Sequence, residues 1–326
     1  MLAGFTGVTD PGRRRRRNED AYVAVPPLFA IADGMGGAQA GEVASGLAAA
    51  VLEEATGDER GEERVASLIQ EANRRVFQRS SEDATTSGMG TTMTVALLDN
   101  ADGTIAFGHV GDSRAYRVRG GELEQLTDDH SLVGELVRSG RLSPEEAESH
   151  PQRSVITRAL GTEPNVDVDT FTVGAEQGDI YLLCSDGLTD MIPPRDILAA
   201  VEASDGLDEA ARALVGAANA GGGEDNITVV LFQIDGQDGA ADLGETARLP
   251  AAVEPEHDDE DTLSPLDAVP AVDTAVIPAA VVEEHLQQVE ADTPKRSEPR
   301  RRILPLVLLI LLLIALVALA LWGLTR

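Results

Sequence analysis

The stretch "TMTVALLDNADGTIAFGHVGDSRAYRVRGGEL", residues 92–123, decides the fold class. It contains three segments that are rich in branched and aromatic residues and bounded by turn residues, as β-strands are. These segments are Thr92–Leu98, Thr104–Val110 and Ala115–Arg119. No helical pattern separates them, and Gly120-Gly121 is typical of a tight hairpin turn. Strands that follow one another directly pair as hairpins, so the sequence predicts an α+β fold of antiparallel sheets with helices packed outside them.

The same criteria place three more strands and three amphipathic helices before residue 235. The strands are Phe29–Ala32, Asp179–Cys184 and Ile227–Ile234, and the helices cover residues 41–55, 63–77 and 208–222. Asp208 is the expected N-cap of the last helix, and Gly221 is its expected C-terminal stop. The sequence "SPEE" at Ser143–Glu146 is typical of a capping box that starts a further helix. Residues 1–235 are therefore predicted to form one folded domain.

The stretch that follows, residues 236–302, is an acidic linker that ends in a basic segment. Between residues 236 and 294 there are 15 acidic residues against one arginine, which is −14 of the chain's net charge of −30. Such a segment repels itself and buries little apolar surface, so it is expected to be an extended, disordered tether. A partner-binding acidic tail is the alternative.

Residues 303–324, "ILPLVLLILLLIALVALALWGL", carry no charge and are expected to form a transmembrane helix. A helix of this length spans about 33 Å, enough to cross the hydrocarbon core of a bilayer; a buried core helix is the alternative. The basic residues Lys295, Arg296 and Arg300–Arg302 precede the span, and Arg326 follows it. The positive-inside rule then predicts a single-pass protein of the cell membrane with residues 1–235 in the cytoplasm.

Composition excludes several function classes. The net charge of −30 disfavours nucleic acid as a partner, because the basic residues form only short islands. Cys184 is the single cysteine, so an intrachain disulfide and a thiolate zinc cluster are both excluded. It lies in an apolar strand and is expected to be buried and inert. Only 3% of residues are aromatic, so the core is expected to consist mainly of Ala, Val, Leu and Ile.

Isolated aspartates stand where predicted strands begin or end. They are Asp33, Asp112, Asp186 and Asp225, each beside or one residue from Gly or Asn, and "NED" at residues 18–20 adds two more acids. Turn formation alone is the alternative explanation. Carboxylates that meet at strand ends repel one another unless cations intervene. Hard divalent ions, Mg²⁺ or Mn²⁺, suit oxygen ligands better than zinc does. Two such ions can bridge a water and present hydroxide to a phosphorus centre.

Seven ordered motifs carry a resemblance to a known family. They are "RRRNED" (15–20), "ADGMGGAQAGEVAS" (32–45), "GMGTTMTVAL" (88–97), "HVGDSRAYRV" (109–118), "DDHSLVGELVRSGRLSPEEAESHPQRSVITRALG" (128–161), "LLCSDGLTD" (182–190) and "GGGEDNITVVL" (221–231). Over about residues 3–235 the chain resembles bacterial metal-dependent protein serine/threonine phosphatases of the PP2C type. The resemblance implies a four-layer α/β/β/α sandwich with a two-metal centre in a cleft at one end. A membrane-tethered member that opposes a bacterial membrane Ser/Thr kinase fits best.

The resemblance also implies a role for each acid. Asp33 matches the ligand that bridges both metals, with the carbonyl of Gly34 beside it. Asp186 and Asp225 match the acids that complete the first metal site. Glu19 matches an acid that orients waters on the second metal. Whether the bound ions are manganese or magnesium is left open.

Three further positions are implied in the same way. Asp112 and Asp186 match the pair that holds a third, weaker metal in bacterial members. Asp20 matches the neighbour of Glu19 in its motif. Asn226 is similar to the residue that supports Asp225.

Arg15 is the residue that the family pattern Arg-x-x-Asn-Glu-Asp selects for binding the substrate phosphate. A guanidinium suits this role because its fork can hold two phosphate oxygens. The neighbouring arginines are expected to line a solvated turn or to meet acidic substrate; they are Arg13, Arg14, Arg16 and Arg17.

The general acid for the departing alcohol is not obvious from the sequence. Met35 stands in the stretch where eukaryotic members have a histidine, and a thioether cannot donate a proton. A metal-bound water is therefore expected, with His130 as an alternative. His109 is expected to pack on a strand, and His150 to belong to residues 127–160, which resemble the flap over the cleft. Residues 86–95 are expected to form a tight turn into a core strand.

The leading hypothesis is hydrolysis of phosphoserine and phosphothreonine in proteins by hydroxide bridged between two Mn²⁺ or Mg²⁺ ions, with a Ser/Thr kinase and its substrates as partners. A phosphatase of an anti-sigma-factor antagonist is a second enzymatic hypothesis. A catalytically silent metal-binding scaffold is a third. The sequence favours an enzyme, because every metal-ligand position of the family pattern keeps its acid.

Overall fold

The computed structural model describes residues 2–36, 40–57, 59–148, 150–235 and 275–276. No helix within these ranges is both long and apolar enough to cross a bilayer. The predicted transmembrane helix at residues 303–324 lies outside them. So does the predicted linker, apart from residues 275–276.

The described residues contain thirteen strands and seven helices. The strands are β1 (Leu2–Asp10), β2 (Asp20–Val25), β3 (Leu28–Met35), β4 (Gly90–Thr91), β5 (Met93–Asp99), β6 (Thr104–Val110), β7 (Arg114–Arg119), β8 (Glu122–Gln125), β9 (Val155–Ile156), β10 (Asp169–Gly174), β11 (Ile180–Cys184), β12 (Ile227–Ile234) and β13 (Ala275–Val276). The helices are α1 (Ala40–Glu53), α2 (Glu62–Glu82), α3 (Leu132–Arg138), α4 (Pro144–Glu148), α5 (Asp186–Thr189), α6 (Pro194–Glu202) and α7 (Leu207–Gly221).

Two antiparallel sheets form the centre of the fold. One sheet has the strand order β1-β12-β11-β7-β8, and the other has the order β10-β6-β5-β3-β2, with β4 pairing on β3. Helices α1 and α2 cover the outer face of the second sheet, and α6 and α7 cover the outer face of the first. This arrangement confirms the predicted α/β/β/α order of layers. In addition, β13 pairs in parallel with the short strand β9.

Aromatic rings fill the layer between the two sheets. Phe29 of β3 stacks on Phe232 of β12 with ring centroids 4.3 Å apart, and Tyr181 of β11 also stacks on Phe232 at 5.1 Å. The two helix-facing layers consist mostly of Ala, Val, Leu and Ile, as expected. The few rings in the chain are thus concentrated where two sheets about 10 Å apart need long side chains to fill the gap.

Local signals in the sequence agree with the structure at most positions. Strands β6 and β12 have the predicted bounds. The capping box is present, because the backbone N–H of Ser143 donates to Glu146 Oε2 at 2.9 Å and the N–H of Glu146 donates to Ser143 Oγ at 3.2 Å. The predicted N-cap Asp208 is wrong: Gly206 caps α7 and Asp208 lies inside its first turn. There its charge still interacts favourably with the positive end of the helix.

Candidate metal centre

The predicted aspartates come together at one end of the two sheets. Asp33 lies near the end of β3, directly opposite Asp20 at the start of β2. Asp186 follows β11, and Asp225 precedes the neighbouring strand β12. Asp112 follows β6. The negative charges of all four of these carboxylates raise the pKa of Asp33. Both sheets therefore contribute to one acidic cluster.

Burial and mutual repulsion make these carboxylates hard to ionise. Burial raises the pKa of Asp33 well above its usual range, and the negative charges of Asp20 and Asp186 raise it further. The pKa of Asp186 is also raised well above its usual range, by burial and then by Asp112. Burial brings the pKa of Asp112 to about 7 and that of Asp20 to about 6. Desolvation therefore dominates throughout the cluster, and like charges add to it.

Two oxygens in this cluster are buried without a hydrogen-bond donor. Asp20 Oδ2 accepts from Ser185 Oγ at 2.9 Å and from Thr228 Oγ1 at 2.5 Å, but its Oδ1 has no partner. Asp186 Oδ1 has none either. Unsatisfied buried oxygens are costly, and a hard cation would satisfy both.

The carboxylates form an open cluster rather than a closed cage. Among the described residues, no three Asp, Glu, His or Cys side chains are arranged closely enough to hold an ion as they stand. Like charges that repel are expected to spread in this way. The donor set consists of oxygens alone, so the residues fit Mn²⁺ or Mg²⁺.

Glycine at position 34 lets Glu19 approach Asp33. A Cβ on Gly34 would lie 2.2 Å from the carbonyl oxygen of Gly41 and 2.5 Å from that of Glu19. The N–H of Gly34 donates to the Glu19 carbonyl at 3.1 Å. Any larger residue at position 34 would separate these segments. The predicted carbonyl ligand thus lies in a backbone contact that only glycine permits.

Two threonines hold the backbone of Asp33, a role that the sequence analysis missed. The N–H of Asp33 donates to Thr92 Oγ1 at 3.0 Å, and the Asp33 carbonyl accepts from Thr91 Oγ1 at 2.9 Å. Both threonines are buried. Residues 86–95 do lead into the core strand β5, as expected. The signal that could have shown more is the pair of adjacent hydroxyls, since buried hydroxyls need partners.

Arg15, which the family pattern selects for phosphate binding, contacts the acidic cluster. Its Nη2 donates to Asp225 Oδ2 at 2.8 Å. Burial opposes the charge of Arg15, but Asp225, Glu19 and Asp33 together raise its pKa above the ordinary value. Its Nε is buried without a hydrogen-bond acceptor. Arg15 therefore keeps one donor available for an anion while it is paired with Asp225.

Asn226 ties the loop that carries Arg15 to the acidic cluster. Its Nδ2 donates to the carbonyls of Pro11 at 3.1 Å and Arg17 at 2.9 Å. Its Oδ1 accepts from the N–H of Glu19 at 2.8 Å. Its own N–H donates to Asp225 Oδ1 at 2.8 Å. The predicted support of Asp225 is thus one of four bonds with which Asn226 fixes both sides of the site.

His130 is a buried structural residue. Its Nδ1 accepts from the N–H of Gly111 at 3.0 Å, so the ring proton lies on Nε2, which faces Asp169 Oδ2 at 3.1 Å. Burial, then the positive charges of His109 and Arg158, lowers the pKa of His130 to about 3. A ring with this pKa holds no extra proton near neutral pH, which argues against its role as general acid.

His109 and Cys184 lie buried on strands, and His150 lies in a loop. His109 lies buried on β6, where its Nδ1 contacts Thr94 Oγ1 at 2.9 Å, as expected for a residue that packs on a strand. His150 lies between α4 and β9, and its Nδ1 accepts from the N–H of Gln152. Cys184 is fully buried on β11, and burial raises its thiol pKa to about 12. The thiol is therefore inert, as predicted.

A cleft of about 620 Å³ opens between the acidic cluster and the segment that resembles a flap. Asp112 and Asp186 line it on one side, and residues of α3 and α4 line it on the other. Arg114 and Asp129 form a bidentate ion pair in its wall, with Nη2 and Oδ2 2.7 Å apart. The cleft gives a substrate access to the cluster, and residues 127–160 shape its far side.

An α/β/β/α sandwich with converging carboxylates and an arginine at one end of its sheets defines the class of the protein, a metal-dependent phosphohydrolase. The chain belongs to the protein phosphatase 2C family, whose model matches residues 13–217. This match confirms the resemblance and spans six of the seven motifs; the motif at residues 221–231 lies beyond it.

Named relatives agree with this assignment. The serine/threonine phosphatase stp of Listeria monocytogenes serotype 4b is 41% identical over 239 residues, which are 70% of this chain and 94% of that protein. The serine/threonine protein phosphatase PstP of Mycobacterium tuberculosis is 38% identical over 319 residues, which are 95% of this chain and 59% of that protein.

Solved structures show the same fold. The crystal structure of the M. tuberculosis phosphatase PstP/Ppp superposes with a TM-score of 0.68 at 41% identity and covers 72% of this chain and 100% of that one. A structure of the PstP catalytic domain in complex with two manganese ions has a TM-score of 0.64 at 37% identity and covers 72% of this chain and 98% of that one. Those two ions agree with the cofactor that the sequence predicts.

Proposed function

We propose that this chain is a protein serine/threonine phosphatase that hydrolyses phosphoserine and phosphothreonine with Mn²⁺ or Mg²⁺ as its cofactor. The observation that carries the proposal is the meeting of buried carboxylates from both sheets with Arg15. Unsatisfied oxygens on Asp20 and Asp186 and an unsatisfied N–H on Arg15 lie in the same region. A cation and a phosphate are the two ligands that would satisfy these three groups.

The cluster supplies the cofactor ligands. Asp33, Asp186 and Asp225, with Glu19 and the carbonyl of Gly34, would hold two divalent ions. Asp112 with Asp186 would hold a third. When bound, such ions lower the pKa of water and neutralise charge on the phosphate. Their positive charge would also reverse the repulsion that now raises the pKa values of Asp33 and Asp186.

Arg15 binds and orients the phosphate group. Its Nη2 stays on Asp225 while Nε donates to a phosphate oxygen, so one guanidinium joins the substrate to a ligand of the cofactor. Asn226 keeps this arrangement rigid through its bonds to the Arg15 loop and to Asp225. Fixed positions of this kind lower the barrier because no reorganisation is needed during the reaction.

The test of the proposal is hydrolysis of phosphopeptides and p-nitrophenyl phosphate by the full-length chain. Activity is expected with Mn²⁺, is expected to stop with EDTA, and is expected to be lost in Asp33→Asn. Asp102→Asn, in the exposed turn after β5, is the matched control and should keep full activity. A chain that binds Mn²⁺ but hydrolyses neither substrate would instead be a metal-binding scaffold.

The proposed phosphatase is tethered to the cell membrane by residues 303–324, with residues 1–235 on the cytoplasmic side. The 22 uncharged residues and the basic residues before them support this topology. In cells, the full-length chain should sediment with membranes, and a chain that ends at residue 302 should not. Recovery of both chains in the soluble fraction would contradict the tether.

A membrane Ser/Thr kinase and its phosphorylated substrates are the proposed partners, since a tether would keep the phosphatase beside a kinase in the same membrane. In cells that lack this phosphatase, phosphothreonine on such a kinase should rise, and the wild-type chain should reverse the rise. Asp33→Asn is the matched control and should not reverse it. An unchanged level of kinase phosphorylation would exclude the kinase as a substrate.

A further inference from the structure

The loop between β1 and β2 carries five arginines in succession, Arg13 to Arg17. Arg15 alone points toward the acidic cluster, and the side chains of the other four are exposed. Residues 1–235 contain only 19 basic residues against 40 acidic ones. More than a quarter of the positive charge of a strongly acidic domain is therefore concentrated beside the proposed phosphate-binding residue.

The backbone of this loop is fixed to the site and does not depend on the arginine side chains. The N–H groups of Arg13 and Arg14 donate to the carbonyl of Gly223 at 2.7 and 3.2 Å. The carbonyl of Arg17 accepts from Asn226 at 2.9 Å. The loop is thus held at both ends next to Asp225, and its outward side chains form a rim around the phosphate position.

Little in the described structure neutralises Arg13, Arg14 and Arg16 of this rim. Arg14 Nη2 lies 3.7 Å from Glu224 Oε1, near the outer limit of an ion pair. Within the described ranges, Arg13 and Arg16 have no ion-pair or hydrogen-bond partner for their guanidinium groups. Solvated arginines held close together repel one another, so the rim favours an anionic ligand.

We propose that Arg13, Arg14, Arg16 and Arg17 form a docking rim for phosphorylated protein segments that carry a second phosphate or acidic residues within about three positions of the scissile phosphate. This inference rests on the proposed phosphatase function and names its substrate class. Adjacent Cα atoms of the loop are about 3.8 Å apart, and an extended substrate advances about 3.3 Å per residue. A peptide with its phosphate on Arg15 therefore brings its neighbouring charges to the arginines on either side.

The experiment compares three peptides of equal length with the full-length chain and Mn²⁺. One peptide has a single phosphothreonine with neutral neighbours, one has aspartates on both sides, and one has a second phosphothreonine two residues away. The wild-type chain is expected to hydrolyse the two acidic peptides with kcat/KM on the order of ten-fold higher than the neutral one, because four weak exposed ion pairs act together. High salt should reduce the ratio by screening.

The variant R13Q/R14Q/R16Q/R17Q keeps Arg15 and every backbone contact of the loop. It is expected to bring the ratio of kcat/KM values close to one. A matched variant replaces four exposed arginines on outer helices with glutamine, at Arg74, Arg79, Arg195 and Arg212. It makes the same change in net charge and should leave the ratio unaltered.

Each outcome distinguishes the docking rim from the phosphatase function. Loss of the ratio in the rim variant alone supports the rim. An equal ratio in the wild type and the rim variant overturns it while the phosphatase function stands. If the rim variant hydrolyses the neutral peptide faster than the wild type, the chain's own acidic linker occupies the rim and slows the wild type. This result also overturns the proposal. If the wild type hydrolyses no peptide and no p-nitrophenyl phosphate, the phosphatase function itself is wrong.

Discussion

Replacing Asp112 with asparagine should stabilise the domain when metal ions are removed. Asp112 is 8% exposed and lies just after the end of β6. Burial, then the charge of Asp129, raises its pKa from 3.8 to about 7. Asparagine has nearly the same shape but no charge, so Asp112→Asn removes the cost of ionising a buried carboxyl.

The magnitude follows from the difference between the folded and unfolded pKa values. Between about pH 4 and 7 the unfolded chain loses this proton while the folded chain keeps it, so the free energy of unfolding falls as pH rises. At about 1.36 kcal/mol per pH unit, the total is roughly 4 kcal/mol by pH 8. At pH 4.5, which is only slightly above the pKa of the unfolded carboxyl, the destabilisation of the wild type is about 1 kcal/mol.

Urea unfolding in EDTA at pH 4.5 and pH 8 measures this effect. Asp112→Asn should exceed the wild type by much more at pH 8 than at pH 4.5, and Mn²⁺ should reduce its advantage by neutralising the wild-type carboxylate. The control Asp102→Asn, in an exposed turn, should change stability by less than about 0.5 kcal/mol at either pH. If Asp112→Asn is neutral, or destabilises equally at both pH values, the carboxyl does not belong to a desolvated, repelling cluster.

Two further substitutions and one labelling experiment test other parts of the domain. Arg15→Ala should lower kcat/KM for p-nitrophenyl phosphate by on the order of 10- to 100-fold, because a charge-assisted hydrogen bond is lost; Arg195→Ala on α6 should not, and equal rates for the two variants would contradict the role of Arg15. His109 has its pKa lowered to about 4 by burial, so lowering the pH from 7 to 5 lets only the unfolded chain bind its proton. Between pH 7 and pH 5, the free energy of unfolding measured in urea should fall by roughly 2 kcal/mol less in His109→Gln than in the wild type. An equal fall in both chains would show that the ring is not held neutral. Cys184 should react with a thiol reagent only after unfolding; rapid labelling of the native chain would refute its burial.

The fold class could be predicted because its signals are local. Strands β5 and β6 follow one another without a helix and pair as a hairpin, and β7 pairs with β8 across the predicted Gly120-Gly121 turn. The expectation that β6 and β7 also pair was wrong: they are consecutive but lie in different sheets. The edge strand β10 and strand β1 were missed for a related reason. β1 carries two glycines in nine residues and becomes a strand through its ladder with the distant β12. A pairing between residues more than 200 positions apart leaves little trace in either segment alone.

The sequence revealed some residues of the candidate site, and only the folded chain revealed the others. The aspartates stood out because charged residues at the ends of apolar strands break the hydrophobic pattern, and Arg15 was selected by its register in the family motif. The roles of Thr91 and Thr92 and the bonds from Asn226 to the Arg15 loop did not stand out, because the partners lie 58 to 215 residues away. Hydroxyl and amide side chains are common in loops, and only the folded chain shows that these ones hold Asp33 and the Arg15 loop.

The sequence by itself determined the fold class, the oxygen-only ligand chemistry and the run of arginines, since each depends on residue type and short-range spacing. The tertiary structure decided which acid pairs with Arg15, which oxygens remain unsatisfied, and how strongly burial opposes each charge. Those properties depend on desolvation and on distances between residues remote in the chain, and neither exists until the two sheets pack against each other.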